Sequence, residues 1–176
     1  LDLDCISFAY DALRALGLDN VRLKLNSIGC SDCRKKYVEA LRTYFADHFE
    51  DMCGTCKERY GRNALRLLDC KNPECKKIAE GAPVILAYLC DDCKAHHEKL
   101  CGLLDASGIP YKVDAGIVRG LDYYTRTVFE FVTDALGAQG TVLGGGRCDD
   151  SVQSMGGKPT GCRGFAMAME RALMLM

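Results

Sequence analysis

The chain of 176 residues contains no run of eighteen apolar residues, no stretch that reads as a secretory leader, and almost no net charge. The first absence excludes a membrane-spanning helix, and the second leaves no secretory context. A formal net charge of −1 removes the chain-wide electrostatic footprint of a nucleic-acid or membrane binder, although a basic face can hide within a neutral average. Together these absences predict a soluble, cytoplasmic protein with no membrane partner. The chain opens with LDLDC rather than Met and stops at ERALMLM, inside an apolar helical pattern. It reads as a segment of something longer.

What the sequence does have is cysteine, twelve in all. A reducing cytosol keeps thiols free, so metal binding is a better explanation than a disulfide framework. Eight of them fall in four pairs: Cys30 with Cys33, Cys53 with Cys56, Cys70 with Cys75, and Cys90 with Cys93. A Cys-x2-Cys turn presents two thiolates to one side of a metal, and two turns complete a tetrahedral Zn²⁺ shell. Spacing leaves open which pairs meet, and whether they hold two ions, one, or none as partly buried free thiols. An all-cysteine shell has no open position for water, so such zinc would be structural. Cys5, Cys101, Cys148 and Cys162 have no such partner and read as small core residues. His96 and His97 could supply a ligand, but they fit a solvated or core-edge position better.

Hydrophobic spacing organises the rest. Ile6, Ala9, Tyr10, Leu13 and Leu16 recur at helical intervals up to a stop at Gly17. Val21, Leu23 and Leu25 then alternate with Arg22, Lys24 and Asn26, which predicts a half-buried strand. From Ser31, a plausible N-cap, Tyr37, Leu41, Tyr44 and Phe45 mark an amphipathic helix. A short helix is expected at Ala64–Leu68, a capped start at Asn72-Pro73, and a longer helix from about Pro83 to Leu104. After Ser107-Gly108-Ile109-Pro110 come YKVD, DYYTRTVFEFV and QGTVLGGG, which suit an antiparallel meander. GFAMAMERALMLM reads as helix. The expected fold class is α+β: residues 1–29 and 111–176 form an antiparallel sheet core, and residues 30–110 a mostly helical insert. Between Lys57 and Lys77 the insert carries Lys57, Arg59, Arg62, Arg66, Lys71, Lys76 and Lys77 against Glu58, Asp69 and Glu74. Such an excess either tracks a phosphate backbone or is a solvated face.

VRGLDYYTRT, residues 118–127, places Arg119, Asp122 and two phenols at the mouth of a strand. A permanent cation there suits a phosphate or carboxylate, bound bidentately. Tyr123 and Tyr124 are expected on opposite strand faces, one in the core and one offering its hydroxyl to a pocket. The simpler reading is an Arg119–Asp122 ion pair at a strand end. Downstream, Gly144, Gly145 and Gly146 allow another group to approach the backbone closely. Arg171, on an apolar helix, needs a carboxylate or a ligand phosphate as partner.

In combination VRGLDYYTRTVFEF, GAQGTVLGGGRCDD and GFAMAMERA, with LNSIGC and NALRLLDCKNPEC before them, resemble bacterial histidyl-tRNA synthetases, class II aminoacyl-tRNA synthetases. The likeness covers essentially the whole chain. It implies the back half of a class II catalytic domain with its insertion domain. It further implies ATP with Mg²⁺, histidine and tRNA(His) as substrates, and a homodimer in the complete protein. In that family the histidine carboxylate attacks the α-phosphate of ATP, and the histidyl group then passes to tRNA. On the resemblance, Arg119 contacts the α-phosphate and the substrate carboxylate, while Arg171 binds the ATP tail. Tyr124 hydrogen-bonds the substrate imidazole, Tyr123 lines the same pocket, and Gly144, Gly145 and Gly146 form the strand beneath. Cys148 and Asp150 stand where the family pattern has Tyr and Gly, and Ala168 where motif 3 has Gly. Motifs 1 and 2 and the anticodon-binding domain are expected outside this segment, so the segment alone is expected to be inactive. Two other readings are a synthetase-like regulatory subunit of ATP phosphoribosyltransferase and a zinc-stabilised tRNA-binding module.

Overall fold

A computed structural model describes residues 1–117, 123–137 and 140–176. Helix α1 (Asp2–Ala15) buries Ile6, Ala9 and Leu13 along one stripe, with Asp2 and Asp4 in its first turn and Arg14 in its last. These charges complement the helix dipole. Gly17, at φ +73°, ends it, and the amide of Leu18 returns to the carbonyl of Leu13. Strand β1 (Arg22–Ser27) follows.

The chain then leaves the sheet for α2 (Ser31–Ala46), α3 (Gly54–Arg62), a 3-10 turn at Ala64–Leu67, α4 (Pro73–Glu80) and a second 3-10 turn at Ile85–Tyr88. Asn72 caps α4 as its sequence suggests, its side chain accepting from the amides of Glu74 and Cys75. The chain returns along α5 (Asp91–Ala106) to β2 (Tyr111–Val113), β3 (Thr125–Val132), β4 (Thr141–Arg147), α6 (Ser151–Ser154), β5 (Arg163–Met167) and α7 (Met169–Leu175).

The sheet order is β2-β1-β3-β4-β5. Every neighbouring pair is antiparallel except β1 with β2. A parallel pair needs a long crossover, and the insert with α5 supplies it. Among the described residues three hydrophobic clusters result, two of them large. In one, Ile6 and Leu13 of α1 and Leu100 and Leu104 of α5 pack on Leu23, Leu25, Phe129, Phe131 and Leu143 of the sheet. The other lies within the insert, around Tyr37, Leu41, Phe45, Leu67 and Ile85. Within residues 30–110, α5 thus packs with the sheet rather than with the insert's own core.

Several local expectations are corrected. Cys30, not Ser31, takes the N-cap position of α2. The helix expected from Pro83 to Leu104 is broken: Leu89 is extended (ψ 136°) and α5 starts only after Cys90. The helical periodicity of GFAMAM yields to strand pairing with β4, which places Phe165 and Met167 against the main core and leaves Gly164 and Ala166 exposed. The expected meander is antiparallel only from β3 onward, since YKV pairs in parallel with β1.

Candidate active site

One sheet face carries α1 and α5; the opposite face is the candidate site. Register places two rows of residues on that face. Lys24, Glu130, Gly144 and Ala166 form one row, and Asn26, Val128, Gly146 and Gly164 the other. Toward β4 and β5 the rows shrink to glycine and alanine, so the floor has almost no side chains. A Cβ added at Gly164 would meet nothing within 4 Å. A cavity of about 550 Å³ lies between this face and the insert, lined by Lys24, Asp114, Glu130 and Thr141 below and by Arg66, Asp69, Lys71 and Lys76 from the insert, with Lys71 paired to Asp69 at 3.2 Å. That volume is in the range of small-molecule sites. Thr141 donates its hydroxyl to Glu130 at 3.0 Å. Lys24 pairs with Asp114 at 2.7 Å. Burial pushes the Asp114 carboxyl up, but the Lys24 hydrogen bond and the Gly116 amide outweigh it and hold it below its ordinary value.

Arg119, with Gly120 and Asp122, lies outside the described residues. Both flanks of that segment are tied to the site face. On the entry side, Asn26, fully buried, donates its amide to the carbonyls of Ala115 (3.3 Å) and Ile117 (2.9 Å). On the exit side, Arg34 of α2 donates to the carbonyl of Tyr124 at 3.0 Å. Sequence reasoning does not single out Lys24, Asn26, Arg34, Asp114, Glu130 or Thr141 as site residues. The one signal for any of them is the polar face of β1, where Lys24 and Asn26 alternate with leucines.

Tyr123 and Tyr124 do not occupy opposite faces of a strand. The strand starts only at Thr125, and the two rings lie side by side with centroids 4.5 Å apart. Tyr124 is 5% exposed, packed with Ile28, Ile117 and Val128, while Tyr123 is 46% exposed. A bulge between Thr125 and Val128, with Arg126 at φ 52°, turns the chain as it enters β3. Such a bulge re-aims the residues beside it. Gly146 makes room for Tyr124: a Cβ there would come within 2.9 Å of the ring. Gly145 does not share this face. It pairs with Phe129 and Phe165, so it turns toward the α1/α5 side, and only Gly144 and Gly146 point their missing side chains at the site. Arg171 hydrogen-bonds the carbonyl of Thr141, whose hydroxyl reaches Glu130, and it lines a neighbouring cavity with Ala135, Leu136 and Met174.

The topology sorts the eight paired cysteines. Cys30, Cys33, Cys90 and Cys93 converge in one group and Cys53, Cys56, Cys70 and Cys75 in another, with sulfurs all within 4.8 Å in each. The backbone N–H of Cys33 lowers the Cys30 thiol to about 7, and that of Cys56 does the same for Cys53. Burial pushes Cys93 up to about 12 and raises Cys33 and Cys75. Cys148 and Cys162 are not isolated core residues; they form a disulfide that joins the residue after β4 to the residue before β5, Cα atoms 5.1 Å apart. His96 sits at the core edge, 3.2 Å from the buried Asp2 carboxylate.

A family model described as histidyl-tRNA synthetase matches residues 1–172. A histidine–tRNA ligase of Acetivibrio thermocellus is 51% identical over 176 residues, covering 100% of this chain and 42% of the relative. One from Caldicellulosiruptor saccharolyticus is 50% identical over 175 residues, covering 99% and 42%. The crystal structure of apo S. aureus histidyl-tRNA synthetase matches at TM-score 0.75 and 32% identity, over 99% of this chain and 42% of that one. A Bacillus halodurans structure described as an ATP phosphoribosyltransferase regulatory subunit/histidyl-tRNA synthetase shares the fold at TM-score 0.62 and 20% identity, over 99% and 49%. The chain therefore spans 42% of the length of these curated relatives. Among the described residues no helix is long and apolar enough to cross a membrane.

Proposed function

The chain belongs to the histidyl-tRNA synthetase family, and from that premise we propose that the sheet face opposite α1 and α5 is the floor on which a histidine–tRNA ligase activates histidine. The observation that carries this reading is the strip at Gly144, Gly164 and Ala166, where register leaves no side chain larger than a methyl, bordered by Tyr124 packed over Gly146 on one side and by a cavity beneath the insert on the other. A planar nucleotide and a small amino acid can lie flat only where β4 and β5 carry no bulky side chains.

The chemistry is an in-line displacement. A histidine carboxylate oxygen bonds to the α-phosphorus of ATP, the bond to the β-phosphate oxygen breaks, and pyrophosphate leaves. The terminal ribose hydroxyl of tRNA(His) then attacks the adenylate carbonyl, and AMP departs. Negative charge grows on the α-phosphate oxygens in the first step, so a fixed cation aimed there lowers the barrier. Arg119 is assigned that role and contacts the histidine carboxylate. Arg171 binds the ATP tail, its guanidinium steadied by the Thr141 carbonyl. ATP arrives as its Mg²⁺ complex. Tyr124, with Tyr123 against it, forms the wall of the histidine pocket, where polar partners for the imidazole reject isosteres that cannot hydrogen-bond. Arg66, Lys71 and Lys76, on the roof of the cavity, take the phosphates of the tRNA acceptor end.

Attachment of labelled histidine to tRNA(His) by the complete protein tests this reading. ATP-dependent charging of tRNA(His), and not of other tRNAs, is expected. Absence of charging, with stimulation of an ATP phosphoribosyltransferase instead, would overturn it.

A further inference from the structure

We propose that the eight paired cysteines hold two structural Zn²⁺ ions in separate all-thiolate shells, one inside the insert and one clamping the junction where the insert leaves and rejoins the sheet. Four thiols around one point repel once ionised, so such a group needs a cation or stays protonated. The geometry fits the cation. A tetrahedral shell with Zn–S bonds of about 2.3 Å has sulfur–sulfur edges of about 3.8 Å. Cys53 and Cys70 stand 3.8 Å apart and Cys30 and Cys33 3.5 Å, and all eight are free thiols rather than disulfides. Thiolates that grip the separate irons of a cluster stand farther apart than those around one ion. With thiolate the only donor type, zinc is the favoured divalent ion.

Local structure supports each shell. Cys30, Cys53 and Cys90 occupy the N-cap positions of α2, α3 and α5, and Cys33, Cys56 and Cys93 follow one turn later. Each pair thus straddles a helix start, where backbone N–H groups point outward. Across the pairs, the amide of Cys90 donates to the sulfur of Cys33 at 3.1 Å, and that of Cys53 to the sulfur of Cys75 at 3.3 Å. Such second-layer donors orient and stabilise metal-bound thiolates. Gly29 completes the first group: at φ +67°, a Cβ there would lie 2.5 Å from the Cys33 Cβ and 3.1 Å from Leu89. Only glycine lets the outgoing and returning chains approach this closely.

The position of the first shell gives it a second consequence. Cys30 lies three residues past the end of β1, and Cys90 caps the helix that leads back to the sheet. The same junction holds the start of β3, because Gly29 accepts the amide of Arg126 at 2.8 Å and Ile28 donates to the Arg126 carbonyl at 2.7 Å. Arg34, one residue beyond Cys33, holds the Tyr124 carbonyl. An ion here fixes the insert and the Tyr124 segment together, whereas the second ion organises the insert's own core.

The complete protein, purified without a metal-binding tag, is assayed for bound metals by plasma mass spectrometry and, with Co²⁺ exchanged in, for thiolate-to-cobalt charge-transfer absorption. Two zinc ions per chain and a tetrahedral tetrathiolate cobalt spectrum are expected. Cys30→Ser with Cys93→Ser is expected to leave one ion and to raise amide exchange at residues 28–34 and 123–127. Cys53→Ser with Cys70→Ser is expected to leave one ion and to spare residues 123–127. Fewer than two zincs in the unaltered protein, iron in their place, or disulfides among the eight thiols would overturn the assignment. Unchanged exchange at 123–127 after loss of the first ion would overturn the clamp. Should a variant fail to fold, the stoichiometry and cobalt spectrum of the unaltered protein decide the assignment.

Discussion

Arg34 of α2 donates to the carbonyl of Tyr124 at 3.0 Å, joining the first helix after β1 to the residue assigned to the histidine pocket. Hydrogen bonds from a charged donor contribute about 1.5–3 kcal/mol. Arg34→Ala is expected to raise the KM for histidine by about tenfold, the low end of that range, with little change in the KM for ATP. Arg34→Lys should recover part of the loss. Steady-state exchange kinetics at varied histidine measure both, and equal effects on the two KM values would count against the link.

Gly146 and Gly164 sit across from each other on the same face yet differ in what a methyl group would meet. At Gly146 it would lie 2.5 Å from the Thr127 carbonyl and 2.9 Å from the Tyr124 ring; at Gly164 nothing lies within 4 Å. Gly146→Ala should destabilise the protein by about 1–3 kcal/mol through overpacking and weaken histidine binding. Gly164→Ala should leave stability within about 0.5 kcal/mol while hindering whatever lies on the floor. Chemical denaturation and substrate KM values separate the two.

Arg66, Lys71 and Lys76 roof the cavity. Replacing all three with Ala should weaken tRNA binding and flatten its dependence on salt, the log–log slope falling by about 0.7–0.9 for each phosphate left without its cation. Histidine-dependent ATP–pyrophosphate exchange, which needs no tRNA, should stay within a factor of about two. Filter binding at several ionic strengths measures the slope.

Asp2, 8% exposed, lies 2.8 Å from Arg147 and 3.2 Å from His96 and accepts from Thr127 at 2.7 Å. Burial alone would raise its carboxyl, but the hydrogen bonds from His96, Thr127 and Arg147 outweigh that and hold it well below the usual carboxylate range. A depressed folded value means that the stabilisation is fully present above the unfolded value of 3.8 and is lost as pH falls through the folded one. Asp2→Asn should therefore cost about 3 kcal/mol near neutrality. The gap between variant and parent should narrow below pH ~4, as denaturant titrations across pH will show.

Patterns that depend on near neighbours were legible in the sequence. The alternation of Leu23 and Leu25 with Lys24 and Asn26 marked β1, the spacing of Ile6, Ala9 and Leu13 marked α1, and Asn72-Pro73 marked the start of α4. What required distant chain to meet was not. Whether Gly144 and Gly146 or Gly145 faces the site depends on register with β3 and β5, which no local pattern encodes. GFAMAM has helical spacing but becomes a strand because β4 offers it a free edge. The left-handed Arg126 bulge, which lets Tyr123 and Tyr124 lie together, has no glycine to announce it. The cysteine spacing showed four pairs, and only the crossover topology brings the first to the last and the second to the third.

The ligase reading is tested most directly by histidine-dependent ATP–pyrophosphate exchange in the complete protein, with and without Arg119→Ala. Loss of one preorganised charge stabiliser lowers such rates by about 10²–10³. That fall is expected here, with the thermal unfolding midpoint and the bound metal unchanged. An exchange rate within a factor of about three of the unaltered protein's would contradict the role assigned to Arg119 at the α-phosphate.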